Sequence, residues 1–194
     1  MRAPKHYGDE RIFAFLREKE AWIERKRGER QSTGIRLPTE NLNGYELQLV
    51  GKKYTLLLLD TKKISVMEEE RRICIPQVRS KDKLVAWIKE NAKRIFTTVT
   101  EQKAKEMGAQ YASVSVSSAR SRWGCCTFDN KIRYSFRLLY EPKEIIEYVV
   151  VHELAHTKYK NHSKAFWTEV ARYIPDWKTR RAWLKTNAAL MQIF

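Results

Sequence analysis

The apolar residues of this chain change period several times. From residue 9 to about residue 27, Ile12, Phe15, Leu16 and Ile23 recur at helical spacing, with Asp9 placed to cap the helix and Gly28 to stop it. Residues 28–44 are polar, punctuated by Gly34, Pro38 and Gly44, and read as a loop. The period then falls to two. Tyr45, Leu47 and Leu49 alternate with polar neighbours, and Tyr54, Leu56 and Leu58 follow Gly51. Ile64 and Val66 come after a short polar turn, and Ile73 and Ile75 after the acidic run 68–70. Short strands joined by short turns predict an antiparallel meander.

Pro76 closes that series. Ser80 is placed to cap a long helix whose apolar face is Leu84, Ile88, Ala92, Ile95 and Val99, ending at Gly108. Val114 and Val116 alternate with serines, and Ile132, Tyr134 and Phe136 alternate after Asp129-Asn130. That pair tolerates the positive φ of a tight turn, so a hairpin is predicted at 120–137. Pro142 opens a helix running through Glu153 to about Tyr159. A third helix is predicted at 163–173, and a last one from Pro175-Asp176 with Trp177, Leu184, Ala188 and Met191 inward. Helices and strands in separate groups predict an α+β fold. The expected organisation is an N-terminal helical arm (1–44) packed on a main domain (45–194).

Composition adds a partner class. The 194 residues carry 38 Lys and Arg against 23 Asp and Glu, a net charge of +15, which favours polyanions such as nucleic acid or nucleotides. Basic residues outnumber acidic ones along 71–122 and 157–194, although charge runs are most often solvated helix faces. No nucleic-acid fold signature accompanies them. At 43% hydrophobic residues the chain can build a core, which excludes disorder throughout. Cys74, Cys125 and Cys126 are odd in number and two are adjacent, so no disulfide framework is expected. The N-terminus lacks the apolar run of a secretory signal, and no stretch approaches the ~20 apolar residues of a membrane helix. A soluble, cytoplasmic protein is expected.

The chemistry concentrates in His152-Glu153-Leu154-Ala155-His156, an HExxH motif on the helix after Pro142. Residues four apart lie on one face, roughly 6 Å apart along the axis, so both imidazoles can reach one ion. His162 follows a polar break and can return as a third ligand, with Ser163 capping the next helix. Three of the chain's 4 His lie in this stretch. The same pattern arises by chance in amphipathic helices, and Ile145, Ile146, Tyr148, Val149 and Leu154 would bury this one regardless. Such a helix would then have to bury two imidazoles and a carboxylate side by side, at a desolvation cost. Three His ligands leave a fourth position for water, as in catalytic zinc sites, and Glu153 is placed to take a proton from that water.

At these residues the sequence resembles the YgjP-like metallopeptidase family. The resemblance rests on His152–His156, Asn161-His162-Ser163, Phe166-Trp167, Pro175-Asp176, the Ser121-Arg122-Trp123-Gly124-Cys125-Cys126 segment, the 147–151 run before the motif, and Gly51-Lys52-Lys53-Tyr54. It covers about residues 45–190. It implies a small zincin-like α+β domain, a metal held by His152, His156 and His162, and Glu153 as general base. Two positions depart from the family pattern: Cys125 stands where Ser is common, and Ser135 where Asn is usual. Members have been linked to nucleotide pyrophosphate hydrolysis as well as peptidase activity, and SprT-type proteases of similar motif style act near DNA.

The reading is therefore a metal-dependent hydrolase: most simply a zinc metallopeptidase, although a His₃ set also suits other first-row ions. The alternatives are a nucleoside triphosphate pyrophosphohydrolase and a metal-stabilised nucleic-acid-binding module. Arg122 and Trp123, expected on a strand beside the active helix, are candidate substrate contacts; the competing reading packs Trp123 in the core and pairs Arg122 with an acid. Tyr148 and Tyr159 are candidate oxyanion donors, and Glu169 a candidate orienter of a ligating His. Cys125 and Cys126 read as buried thiols. Phe166, Trp167, Trp177 and Trp183 read as core.

Overall fold

The computed structural model describes residues 9–21, 41–188 and 191, and the chain divides into two units, Met1–Ile35 and Arg36–Phe194. The first contains helix α1, Asp9–Glu18, on which Phe13 and Phe15 are exposed. The side chains of Ile12 and Leu16, together with Ile23, Gly28 and most of the expected 28–44 loop, lie outside the described residues.

The second unit opens with a four-stranded sheet: β1 (Glu46–Leu49), β2 (Lys52–Leu59), β3 (Ser65–Met67) and β4 (Arg72–Pro76), in the order β1-β2-β4-β3. The strands fall where the period-2 pattern puts them, but the meander does not form. β4 inserts between β2 and β3 and runs parallel to β2, pairing Leu56 with Ile73 and Leu58 with Ile75. Burial explains the order. Ile73, Cys74, Ile75 and Pro76 are all buried, so β4 needs a neighbour on both sides, whereas β3 is exposed at every position and suits an edge.

Helix α2, Ser80–Met107, packs across the core on Leu84, Ile88, Ala92, Phe96, Thr100, Ala104 and Met107. Its buried face thus passes through Phe96 and Thr100, and Ile95 and Val99 flank it half-buried. Ser80 is the first helical residue rather than the cap; Arg79 holds that position at φ 53 without a side-chain capping bond, its guanidinium donating to Asp82 Oδ2 instead. Gly108 ends the helix at φ 57, its amide donating to the Ala104 and Lys105 carbonyls.

A second sheet follows: β5 (Ser113–Ser117), β6 (Gly124–Cys126) and β7 (Lys131–Ser135), in the order β5-β7-β6. β6 and β7 form the expected antiparallel hairpin, with Asn130 at φ 58, but β5 lies parallel to β7 on its far side. The chain from β5 to β6 therefore crosses the end of β7. Buried polar groups fasten that crossing. The Ser135 amide donates to Trp123 O (2.8 Å), Ser135 Oγ to Ala119 O (2.7 Å), and the buried Arg137 Nη1 to Ser118 O (2.9 Å). Both sheets are mixed, which corrects the expected antiparallel sheet within the α+β class.

After a 3₁₀ turn at Phe136–Tyr140 come α3 (Lys143–Lys158), α4 (Lys164–Tyr173) and α5 (Trp177–Thr186). α3 buries Ile145, Ile146 and Tyr148–Val151 as well as Glu153–Ala155, and so runs through the core. α5 buries none of its own residues. Trp183, expected inward, is 43% exposed, and its indole N–H donates to the buried Glu141 Oε2 at 2.8 Å. Arg180 Nη1 donates to Glu144 O at 2.8 Å, a second tie for the same helix. Ala188 is exposed, whereas Met191 is buried. Among the described residues no helix is long and apolar enough to cross a membrane.

Candidate metal centre

Helix α3 brings the motif to the surface at its last turns. His152 and His156 stand one turn apart with ring centroids 5.0 Å apart. The helix ends at Tyr159, whose amide donates to Ala155 O. The chain then turns through Asn161, whose Oδ1 accepts from the Ser163 amide, and Ser163 Oγ caps α4 through the Phe166 amide. That turn returns His162 to the other two. One ligand atom from each of His152, His156 and His162 lies within 4.8 Å of the others, and His152 Nε2 and His162 Nε2 are 3.1 Å apart.

The imidazoles are held from several sides. His156 Nδ1 donates to Tyr159 O at 2.9 Å, which fixes the proton on Nδ1 and leaves the Nε2 lone pair free. Tyr159 thus contributes its backbone carbonyl to the centre. Glu169, expected to orient a His, pairs instead with Lys158 Nζ at 2.8 Å. Phe166, fully buried, touches all three imidazoles, with centroids 4.9, 4.4 and 4.8 Å from His152, His156 and His162. Trp167 stacks on His162 and on Trp177. Phe166 and Trp167, read as core in the sequence, form the floor of the centre. Their signal was their position, three and four residues after the cap Ser163.

Burial sets the protonation. It pushes His152 down to about 3, with His156, His162 and Arg181 adding to the effect, and it lowers His156 as well. Both imidazoles are therefore neutral at pH 7 and present lone pairs. His152 Nδ1 is buried without a hydrogen-bond partner among the described residues. Three imidazoles that each bring one nitrogen within 4.8 Å of the others suit a borderline transition metal, and the residues present fit such an ion.

Glu153 lies 5% exposed beside this cluster. Burial pushes its carboxyl up to about 8, with Arg122 pulling the other way. A cavity of about 200 Å³ opens here, lined by Trp123, Gly124, Tyr148, Val149, His152, Glu153 and Leu184. Tyr148 is buried, which pushes its hydroxyl up to about 12 and keeps it a donor.

Arg122 and Trp123 lie in the crossing before β6 rather than on a strand. The crossing still delivers both: Trp123 lines the cavity, and the exposed Arg122 acts electrostatically on Glu153. Cys125 and Cys126 are free, half-buried thiols outside the His cluster; burial raises Cys126, which stays a thiol. Ser135 is turned inward to fasten the crossing. Arg181, on α5, escaped the sequence reading: its Cζ lies 5.1 Å from the Trp167 ring, and its charge acts on His152 and Tyr148.

Residues 1–187 match the sequence profile of the YgjP-like metallopeptidase domain. The chain belongs to the YgjP-like family. The expectation drawn from the HELAH, NHS and RWG segments is borne out over nearly the whole chain. Two solved structures are similar over part of this YgjP-like chain. The metallopeptidase zymogen of Pyrococcus abyssi abylysin is 25% identical, with a TM-score of 0.44, over 47% of this chain and 92% of its own. The metallopeptidase zymogen of Methanocaldococcus jannaschii jannalysin is 18% identical, with a TM-score of 0.41, over the same shares. No curated protein matches the chain. The cluster of His152, His156 and His162 is consistent with a metal site in this YgjP-like domain.

Proposed function

We propose that this YgjP-like domain is a zinc-dependent, zincin-like peptidase in which His152, His156 and His162 hold the ion and Glu153 is the general base. The observation that carries the reading is the shared cavity: Glu153 and His152 are consecutive residues, and both line it. The ion, when bound, supplies Lewis acidity at neutral pH. A cation there also favours the ionised carboxylate of Glu153, which burial alone disfavours. Glu153 then accepts the proton of the attacking water on a carboxylate oxygen and passes it to the leaving amine nitrogen. The Tyr148 hydroxyl is a donor for the developing oxyanion.

An extended peptide also has a place to lie. β6 is an edge strand, and Gly124 at its start lies against Glu153. A peptide added along that edge exchanges main-chain hydrogen bonds with β6 and lays one side chain in the cavity. The arm 1–44 and main domain 45–194 remain the proposed organisation, with a cytoplasmic location.

The rival substrate is a nucleotide, favoured by the +15 charge and the exposed Arg122. A purely structural metal in a nucleic-acid-binding module leaves the buried Glu153 without a task. Metal-loaded protein offered mixed peptides, casein and nucleoside triphosphates separates the three. Peptide cleavage that falls by ~10²-fold or more in Glu153→Gln, with metal content unchanged, is the expected result. Triphosphate cleavage alone would overturn the peptidase reading, and no turnover of either class would remove the enzyme.

A further inference from the structure

The cavity beside Glu153 has walls that the chemistry above does not use. We propose that it is a subsite for one large, uncharged, apolar side chain of the peptide, and that Leu184 sets the size it admits; this specificity rests on the peptidase reading. At about 200 Å³ the cavity falls below the roughly 300–1,000 Å³ of pockets that enclose a whole small-molecule ligand, so it takes a single side chain rather than a nucleotide. Its polar groups already have tasks: His152 belongs to the metal centre, Glu153 is the base, and Tyr148 offers its hydroxyl to the oxyanion. The ring of Trp123, the side chains of Val149 and Leu184 and the ring of Tyr148 remain as walls, and among the described residues no lysine, arginine or aspartate lines the cavity.

Charged side chains are excluded by what they would meet. A carboxylate would lie beside Glu153 and repel its ionised form. An ammonium or guanidinium would pair with Glu153 and take the base out of use. Either would exchange water for walls that offer it no partner. An apolar side chain instead removes its own surface and that of the walls from water.

The walls differ in how they are held. Tyr148 and Val149 are buried on α3, and the Trp123 carbonyl accepts from the Ser135 amide at 2.8 Å. Leu184 is half-buried and comes from α5, which buries none of its own residues. Two ties set its place: the Trp183 indole N–H donates to Glu141 Oε2 and Arg180 Nη1 to Glu144 O, each at 2.8 Å. Both acceptors lie at the N-terminal end of the helix that carries His152 and Glu153. Leu184 is thus the wall that can change size without dismantling the core.

Binding is read apart from turnover. Ser-Gly peptides with one variable residue (Trp, Phe, Leu, Ala, Glu or Lys) are titrated by fluorescence anisotropy into metal-loaded Glu153→Gln protein, alone and combined with Leu184→Ala or Leu184→Phe. The Phe and Leu peptides are expected to bind about tenfold or more tighter than the Ala peptide, as hydrophobic pockets discriminate missing methylenes. The Glu and Lys peptides should bind no better than Ala. Leu184→Ala should shift the preference toward Trp and Leu184→Phe toward Ala, opposite shifts that a loss of structure would not produce. Equal affinity for the Leu and Ala peptides overturns the subsite. So does a preference for Glu or Lys, a ranking that both Leu184 variants leave unchanged, or no binding of any peptide. Should either variant misfold, the cut sites of the wild-type protein in a mixed peptide library give the same reading: large apolar residues enriched at one position beside the cut, or not. Cleavage without that enrichment overturns the subsite and leaves the peptidase reading standing. Apolar-selective binding of peptides that the wild-type protein leaves uncut does the reverse.

Discussion

Gly124 and Glu153 are in direct contact. A Cβ on Gly124 would stand 2.6 Å from Glu153 Oε1, 2.8 Å from Cγ and 2.9 Å from Cδ. The backbone at Gly124 does not adopt a positive φ, so the glycine is required by space alone. The edge strand β6 and the active helix α3 approach so closely that the carboxylate occupies the volume a side chain would fill.

Gly124→Ala is therefore expected to displace the base without touching a ligand. The strand conformation suits alanine, so the stability loss should stay near the ~1–3 kcal/mol of an overpacked site. Metal content should be unchanged and turnover should fall ~10²-fold, which metal analysis and kinetics on the same preparation would show. Full activity in this variant would mean that the observed position of Glu153 does not govern the reaction.

The metal ligands make a separate prediction. The protein should carry about one transition-metal ion per chain, and His156→Ala should lose most of it on dialysis. His156 is the informative choice because its tautomer is set by Tyr159 O and its Nε2 has no other duty. Retention of full metal content by that variant would remove His156 from the ligand set.

Local patterns in the sequence were sufficient for much of this. The HExxH spacing, Ser163 as a cap, Gly108 as a stop and Asn130 in the hairpin each depend on residues a few positions apart, and each appears where expected. Strand order did not follow, because it is decided between distant segments. The all-buried run Ile73–Pro76 takes the central place, and the serine-rich β5 lies parallel across β7. The same parallel arrangement creates the crossing that carries Arg122 and Trp123, which is why they were expected on a strand. Arg137 and Ser135, which fasten it, carry no local signal of that task. Phe166 was legible as core but not as a contact of the imidazoles, and Arg181 was not singled out, for a related reason: helical spacing reports which face is apolar, not which imidazole or cavity that face will meet.

Phe166 offers a way to test the floor of the centre. Its ring is fully buried against all three imidazoles, so Phe166→Ala should cost ~3–5 kcal/mol and loosen the site. Phe166→Leu keeps most of the volume and should fold. Chelator competition on that milder variant should show metal lost faster than from wild type. If the leucine variant holds metal as tightly, the floor contributes to the core alone.

The pH dependence of the metal-stripped protein tests the burial of Glu153. Its folded carboxyl lies at about 8, against an ordinary 4.5. Between those values the unfolded chain has released a proton that the folded chain keeps, so rising pH favours unfolding. His152 works the other way: held at about 3 against 6.5, it makes rising pH favour folding between those limits. His156 is lowered too and acts in the same direction. The two effects oppose each other up to pH 6.5; above it the raised carboxyls remain, Glu153 up to about 8 and the buried Glu141, held at about 7 against 4.5, over the first half unit. From pH 6.5 to 8 the metal-stripped protein should therefore lose about 2 kcal/mol, a fall in Tm of about 4–8 °C. Glu153→Gln should flatten the decline above pH 7, because the amide does not titrate, and leave the smaller part below 7 that Glu141 contributes. Metal should raise Tm at every pH in this range by mass action and reverse the penalty, since a nearby cation favours the ionised carboxylate. A flat wild-type profile between pH 6.5 and 8 without metal would show that Glu153 is not held as a buried, protonated acid.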